Sequence, residues 1–284
     1  MAYEEFKYIN HLNESLPMGQ DNKLFINEND LHDYSWDNNS DGGRLSTFTK
    51  GVTEKTLPLV IIGKDKDEKN KILNQLFTIC EKDVLTRNYG KLYHGDYYLK
   101  CYVTASQKAS YLKRAERFAK DTITITTDYP WWIKELEYSY RIGDDPEQEH
   151  EIVTTKRNLD YNFDYDIDYL SNEGARTLYN SAVVDSNFKL IMYGPVVNPK
   201  VEINGHLYQV NITLLAKEYV EVDSVTKKIR KMNYDGTWSN AFASRNKESY
   251  IFKRIEAGYN HFIWDGTFRF DIILYDERSE PPWI

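Results

Sequence analysis

From Asn198 to Trp283, apolar and polar positions alternate with a period of two, interrupted by short turns. Pro199–Ile203 is predicted to meet His206–Leu214 across Asn204-Gly205, and His261–Trp264 to meet Thr267–Leu274 across Asp265-Gly266. An Asn-Gly or Asp-Gly pair accepts the positive φ of a type I′ hairpin, whose twist matches the strands it joins. The same period predicts strands at Leu57–Ile62, Tyr97–Ala105, Asp121–Thr127, Ile133–Arg141, Asn162–Asp168 and Phe188–Tyr193. Leu31–Trp36 and Arg44–Thr49 read as a hairpin around a loose turn, Asn38 to Gly43. Met1–Gln20 has no clear period and reads as an arm.

One segment changes period. From about Lys66 to Asp83, Ile72, Leu73, Leu76, Phe77, Ile79 and Cys80 share a face at 100° per residue, while Lys71, Asn74, Gln75, Thr78 and Lys82 face away. This predicts an amphipathic helix laid on a sheet. Asp65, with Glu68 three residues on, resembles a capping box that satisfies two orphan amides. Asp128-Tyr129-Pro130-Trp131-Trp132 breaks the strand pattern, and Gly143–Glu149 is an acidic loop or linker. The expectation is a mostly β chain: an α+β N-terminal domain over 1–133 carrying the helix, and an antiparallel β-sandwich over 134–284.

At 284 residues the chain can bury about 75% of its unfolded surface, so it needs no staples. Its two cysteines, Cys80 and Cys101, fall on apolar faces and are expected to be buried free thiols, as in a reducing compartment. No signal peptide, lipid anchor or membrane span is visible. A net charge of −8 argues against nucleic-acid binding, which needs a positive surface. The 23 tyrosines fit either interfaces or simple strand preference.

Candidate chemistry is sparse. Asp37-Asn38-Asn39-Ser40-Asp41-Gly42 matches the first half of a calcium loop, but Phe48 stands where the closing Glu belongs, and a hairpin turn explains the segment equally. Asp164, Asp166 and Asp168 would share one face of a strand, where they could hold a hard cation or simply be solvated. The six histidines are scattered without ligand spacing, and no nucleophile or phosphate-binding motif is present. A glycosidase-type carboxylate pair depends on space rather than spacing, so the abundant acids give it little weight. Trp238, Trp264 and Trp283 could stack on sugar rings, although Trp264 alternates with Phe262 in a core-like pattern. Ser106–Lys120 carries Lys108, Lys113, Arg114, Arg117 and Lys120 in an acidic chain. It reads as a protruding hairpin or a short helix, and either clasps an acidic face of a neighbour or is solvated.

Two stretches resemble a known family. One carries Leu76, Ile79, Asp83, Gly90, Leu92, Tyr98-Leu99 and Thr124 to Trp132. The other carries Asn204-Gly205, Tyr208-Gln209-Val210-Asn211, Ser249-Tyr250-Ile251-Phe252, Gly258-Tyr259-Asn260, Trp264-Asp265-Gly266, Phe270-Asp271 and Asp276 to Trp283. Together they are similar to the distal tail proteins of long-tailed phages infecting Gram-positive bacteria. The resemblance implies an N-terminal β-domain that builds a hexameric ring beneath the tail tube, and a galectin-like C-terminal β-sandwich outside it. It implies a non-enzymatic hub without catalytic, metal or cofactor sites, made in the host cytoplasm and carried at the tail tip of the virion. The implied partners are copies of the chain, the major tail protein, the tail-associated lysin or tail fibre, and receptor-binding or baseplate proteins. The alternative is a carbohydrate-binding module contacting the host wall, with Trp238 and Trp264 as its stacking residues.

Overall fold

The computed structural model describes residues 5–19, 22–26, 29–108, 116–141 and 176–283. The chain divides into two compact units, one of residues 1–134 with 277–284 and one of residues 135–276. The closing segment, which the sequence places in the second domain, thus belongs to the first unit. There Trp283 stacks on His32 with 3.9 Å between ring centroids, and Tyr129 Oη donates to Glu277 Oε1 at 2.5 Å.

The first unit opens with β1 (Phe6–Ile9), β2 (Ser15–Met18) and β3 (Leu24–Ile26), continues through a ribbon of β4 (Asp37–Asp41) and β5 (Arg44–Thr49), and reaches β6 (Thr53–Ile62). Helix α1 (Lys66–Thr86) follows, then β7 (Gly90–His94), β8 (Tyr97–Lys108), β9 (Phe118–Thr127) and the start of β10 (Trp132–Tyr140). β6 starts at Thr53, four residues before its apolar run, because its partner β9 pairs with it from Thr53↔Thr127 to Ile62↔Phe118. Leu57, Leu59 and Ile61 of β6 and Ile123 and Ile125 of β9 point into one core, which Leu76, Ile79 and Cys80 of α1 close. Phe77, expected on that face, is 61% exposed. It lies on the flank of the apolar stripe, and the sheet does not reach that far round the helix.

Asp65 caps α1 as predicted, accepting from the Glu68 amide at 2.8 Å. Glu68 reaches back to the Lys64 amide at 2.6 Å, one residue before the cap. At the other end Arg87 takes a left-handed φ of 57°, which returns its N–H to the Asp83 and Val84 carbonyls.

Asp83 is fully buried. Its Oδ2 accepts from Tyr8 Oη at 2.6 Å, and its Oδ1 from the His11 amide at 3.0 Å, with His11 Nδ1 at 2.5 Å. A buried carboxylate costs several kcal/mol unless its oxygens are bonded in this way. Burial, with Cys101 and Asp83 nearby, pushes the Tyr8 hydroxyl far above its ordinary pKa, so it stays a donor. Gly90 sits against this group: a Cβ there would run into Tyr8 Oη and Asp83 Oδ2. Burial also raises the Cys80 thiol to about 12 and Cys101 further, and both are free.

The second unit is a sandwich. β17 (Tyr219–Asp223) pairs with β12 (Asn187–Tyr193) and with β18 (Lys228–Met232), which carries β19 (Trp238–Asn240) at the edge. On its other side β12 pairs with β21 (Phe270–Arg278), which neighbours β10. The facing sheet runs in the order β11 (Arg176–Asn180), β20 (Gly258–Ile263), β14 (Lys200–Ile203), β15 (His206–Gln209). A short pair, β13 (Val196–Val197) with β16 (Thr213–Leu214), bridges the loops. Leu190, Val220, Val222, Ile272 and Leu274 from one sheet meet Leu178, Val201, Ile203 and Phe262 from the other in a single core.

The Asn204-Gly205 hairpin is present, with φ of 49° and 74° and Ile203 opposite His206. The Asp265-Gly266 hairpin is not. β20 and β21 lie in different sheets, so this stretch is a crossing between layers. Only Gly266 has a positive φ there, and Asp265 Oδ1 accepts from the Thr267 amide at 3.0 Å, an Asx turn in place of a type I′ turn. Trp264 and Phe268 turn inward and plug the crossing, with Trp264 5.4 Å from Phe270.

Gly90→Ala is expected to lower stability by about 2–3 kcal/mol in chemical denaturation, since the extra carbon overpacks a fixed polar group. Adding Tyr8→Leu to it should cost less than the sum of the two changes, because the second change removes the ring end, Cζ and Oη, that the new Cβ strikes. In the folded protein a thiol reagent at pH 8 should modify neither cysteine, and both should react in guanidinium.

Candidate interaction surfaces

Lys108, Lys113, Arg114, Arg117 and Lys120 divide in the structure. β8 and β9 are antiparallel partners, with Lys108 opposite Asp121, so the basic segment joins two paired strands. Lys113 and Arg114 lie outside the described residues. Lys108 Nζ is 2.9 Å from Asp121 Oδ2, whose side chain is wholly buried. That ammonium therefore already serves a carboxylate of its own chain. Lys120 stands over the Phe118 ring at 5.9 Å.

The tryptophans separate in the same way. Trp264 is 4% exposed and has no face to offer a sugar, a correction to the stacking role the sequence allows it. Its alternation with Phe262 was the signal of a core position. Trp238 is 42% exposed at the sheet edge of the second unit.

The calcium-like segment is a strand. Asp37–Asp41 forms β4, paired with β5 from Asp37↔Thr49 to Asp41↔Arg44, and only Gly42 and Gly43, with φ of 56° and 79°, make the turn. Extended backbone sends alternate side chains to opposite faces, so these groups do not converge on an ion. Among the described residues no group of three His, Cys, Asp or Glu side chains could hold a metal. Asp164, Asp166 and Asp168 lie outside them.

One constellation has catalytic-looking spacing. His11 Nδ1 meets Asp83, and His11 Nε2 is 3.3 Å from Thr86 Oγ1. The Thr86 hydroxyl, however, donates to the Lys82 carbonyl at 2.8 Å, so its proton is held by the last turn of α1. Here the histidine braces the helix end.

Among the described residues of the first unit, the β4–β5 ribbon stands out in solvent. Every residue of both strands is exposed, with Leu45 at 62% and Phe48 at 55%. A lone two-stranded ribbon is marginal in water. Its base is held by Lys50, whose ammonium lies 4.8 Å from the Trp36 ring centroid, 4.2 Å from Trp131 and 5.6 Å from Tyr34. Burial, with some repulsion from Lys55, lowers the Lys50 pKa to about 8. The sequence pattern places the loose turn at Asn38 to Gly43 with Leu31–Trp36 as the first strand, whereas the strand opposite Arg44–Thr49 is Asp37–Asp41, whose Asn and Asp residues are poor strand formers.

No protein-family model and no curated relative matches the sequence. Solved structures do match over nearly the whole chain, among them proteins of phage adsorption apparatus and baseplates. The SPP1 Dit protein, described as a paradigm of the hub adsorption apparatus in Gram-positive-infecting phages, aligns at a TM-score of 0.58 and 9% identity, covering 96% of this chain and 99% of its own. A chain of the phage p2 baseplate in its activated conformation with strontium aligns at 0.61 and 13%, covering 99% and 100%. The chain has the distal tail protein fold, mostly β with one helix among the described residues.

Lys50→Met should speed tryptic cleavage after Arg44 about tenfold without unfolding the unit. Such cation–π anchoring is worth about 1.4 kcal/mol in a partly buried setting. Peptide mapping over time reads this directly.

Proposed function

We propose that this protein is a structural hub of a phage tail tip, a six-membered ring of its first units joining the tail tube to the lysin or fibre. The observation that carries this reading is likeness along 96% of the chain to the SPP1 Dit protein, with nearly all of that protein covered in return. A likeness of that extent includes both units. The second unit then stands outside the ring and carries receptor-binding or baseplate proteins.

A closed ring needs two different, complementary patches on each subunit. The β4–β5 ribbon is a natural candidate for one. It is wholly exposed, it carries Leu45 and Phe48, and its base is braced. The basic segment between β8 and β9 is a second. Transforming a substrate forms no part of this reading: the triad-like His11 is committed to the helix end, and Trp264 to the core.

Negative-stain electron microscopy of the purified protein should give a six-fold ring, if necessary with the adjoining tail protein present, since assembly depends on concentration and partners. Leu45→Glu with Phe48→Glu should leave thermal stability within about 2 °C, because exposed substitutions cost little, yet abolish the ring in native mass spectrometry. Deleting 109–117 tests the basic segment separately. A protein that stays monomeric with its tail partner, or a ring indifferent to both changes, would remove this account.

A further inference from the structure

A groove on the second unit is lined by cations and aromatic rings. It lies on β18, β19 and the short helical turn after them, encloses about 380 Å³, and is lined by Lys227, Lys228, Arg230, Trp238, Asn240 and Phe242. Pockets of this size take small ligands or one or two units of a polymer.

Its charge runs against that of the chain. In a protein of net charge −8, two lysines and an arginine line one short groove. Two carboxylates approach them. Glu221 is held between Arg230, at 2.7 Å, and Lys189, at 3.9 Å. Asp223 accepts from the Val225 and Thr226 amides in the turn before β18. Lys228 has no ion pair among the described residues, and Lys227 stands over the Tyr250 and Phe252 rings at 5.7 and 5.4 Å.

Aromatic surface is interleaved with the cations. The Arg230 guanidinium lies 4.5 Å from the Trp238 ring, and that of Arg245 lies 4.1 Å from Phe242. Trp238 and Phe242 are each more than a third exposed. A guanidinium fixed against a ring and a carboxylate is pre-organised to bind an anion with its remaining donors. The rings offer faces for C–H groups, while Ser239 and the amide of Asn240 supply neutral hydrogen bonding for hydroxyls.

We infer that the groove binds an anionic polyol or saccharide chain, one bearing phosphate or carboxylate along a hydroxylated backbone. Cations alone would suit any anion, and rings alone a neutral sugar; their combination with hydroxyl partners selects a charged polyol. A single-stranded nucleic acid also combines charge with stacking, but it needs a basic track along many phosphates. This groove is short and the chain around it acidic. The inference stands apart from the hub reading, because it concerns one unit whatever the oligomer.

The test is calorimetric titration of the full-length protein with a glycerol-phosphate oligomer, with inorganic phosphate, neutral dextran and oligo-dT in parallel. The expected result is saturable, salt-weakened binding of the oligomer, weaker binding of phosphate, and none of dextran or oligo-dT. Trp238→Ala and, separately, Lys227→Gln with Lys228→Gln should each weaken it about tenfold, and the lysine pair should also flatten the salt dependence. Melting temperatures check folding, and the lysines are exposed enough that their variant decides alone if the tryptophan variant unfolds. No saturable binding by the native chain, equal binding of dextran, tighter binding of oligo-dT, or affinity unchanged in folded variants would each overturn the inference. Because the readout is binding, a failed ring leaves it untouched, and failed binding leaves the ring untouched.

Discussion

The first unit depends on one buried carboxylate. Asp83 lies in the last turn of α1, inside the protein, where an ionisable group is tolerated only if its oxygens are fully engaged. Tyr8 and the His11 amide and ring engage them, so the first strand of the chain and the last turn of the helix are held in one arrangement. Gly90 lets β7 begin against that group, and β7 then pairs with both β1 and β8. Sheet, helix and N-terminal strand are fixed together at one point, which suits a unit whose outer surfaces must present themselves in a set geometry.

The exposed surfaces of the two units are of two kinds. The ribbon projects apolar side chains into solvent from a caged base, a form that gains stability when another surface covers it. The groove on β18 and β19 projects charge and aromatic surface together, a form that gains from a ligand. The first belongs to the unit read as the ring former and the second to the sandwich. On the proposed readings, self-assembly and outward recognition fall on different units.

The sequence made several strands, the helix and its cap readable because each is a local affair, but β1 and β2 lie in Met1–Gln20, which it reads as an arm. The Lys66 helix follows from its spacing and from Asp65, and the Asn204-Gly205 turn from the backbone preferences of two residues. The free, buried thiols followed from their apolar faces. The site was less legible. Trp238 was named from exposure to be expected of a lone aromatic, but Arg230 and Lys228 were not, since nothing in a linear string says that they share a groove with it.

By itself, then, the sequence determined the period of each segment, the caps and turns that bound it, and the resemblance carried by its C-terminal string. Tertiary structure decided which strands belong to which sheet. Asp265-Gly266 has the residues of a hairpin, yet its flanking strands part company, because Trp264 and Phe268 gain more from the space between two sheets than from a ladder. It also decided that the Asn-rich segment after Trp36 is a strand, because β5 supplies the partner its own propensity lacks. Pairing and layering are long-range choices, made by the burial of whole faces, and no local pattern encodes them.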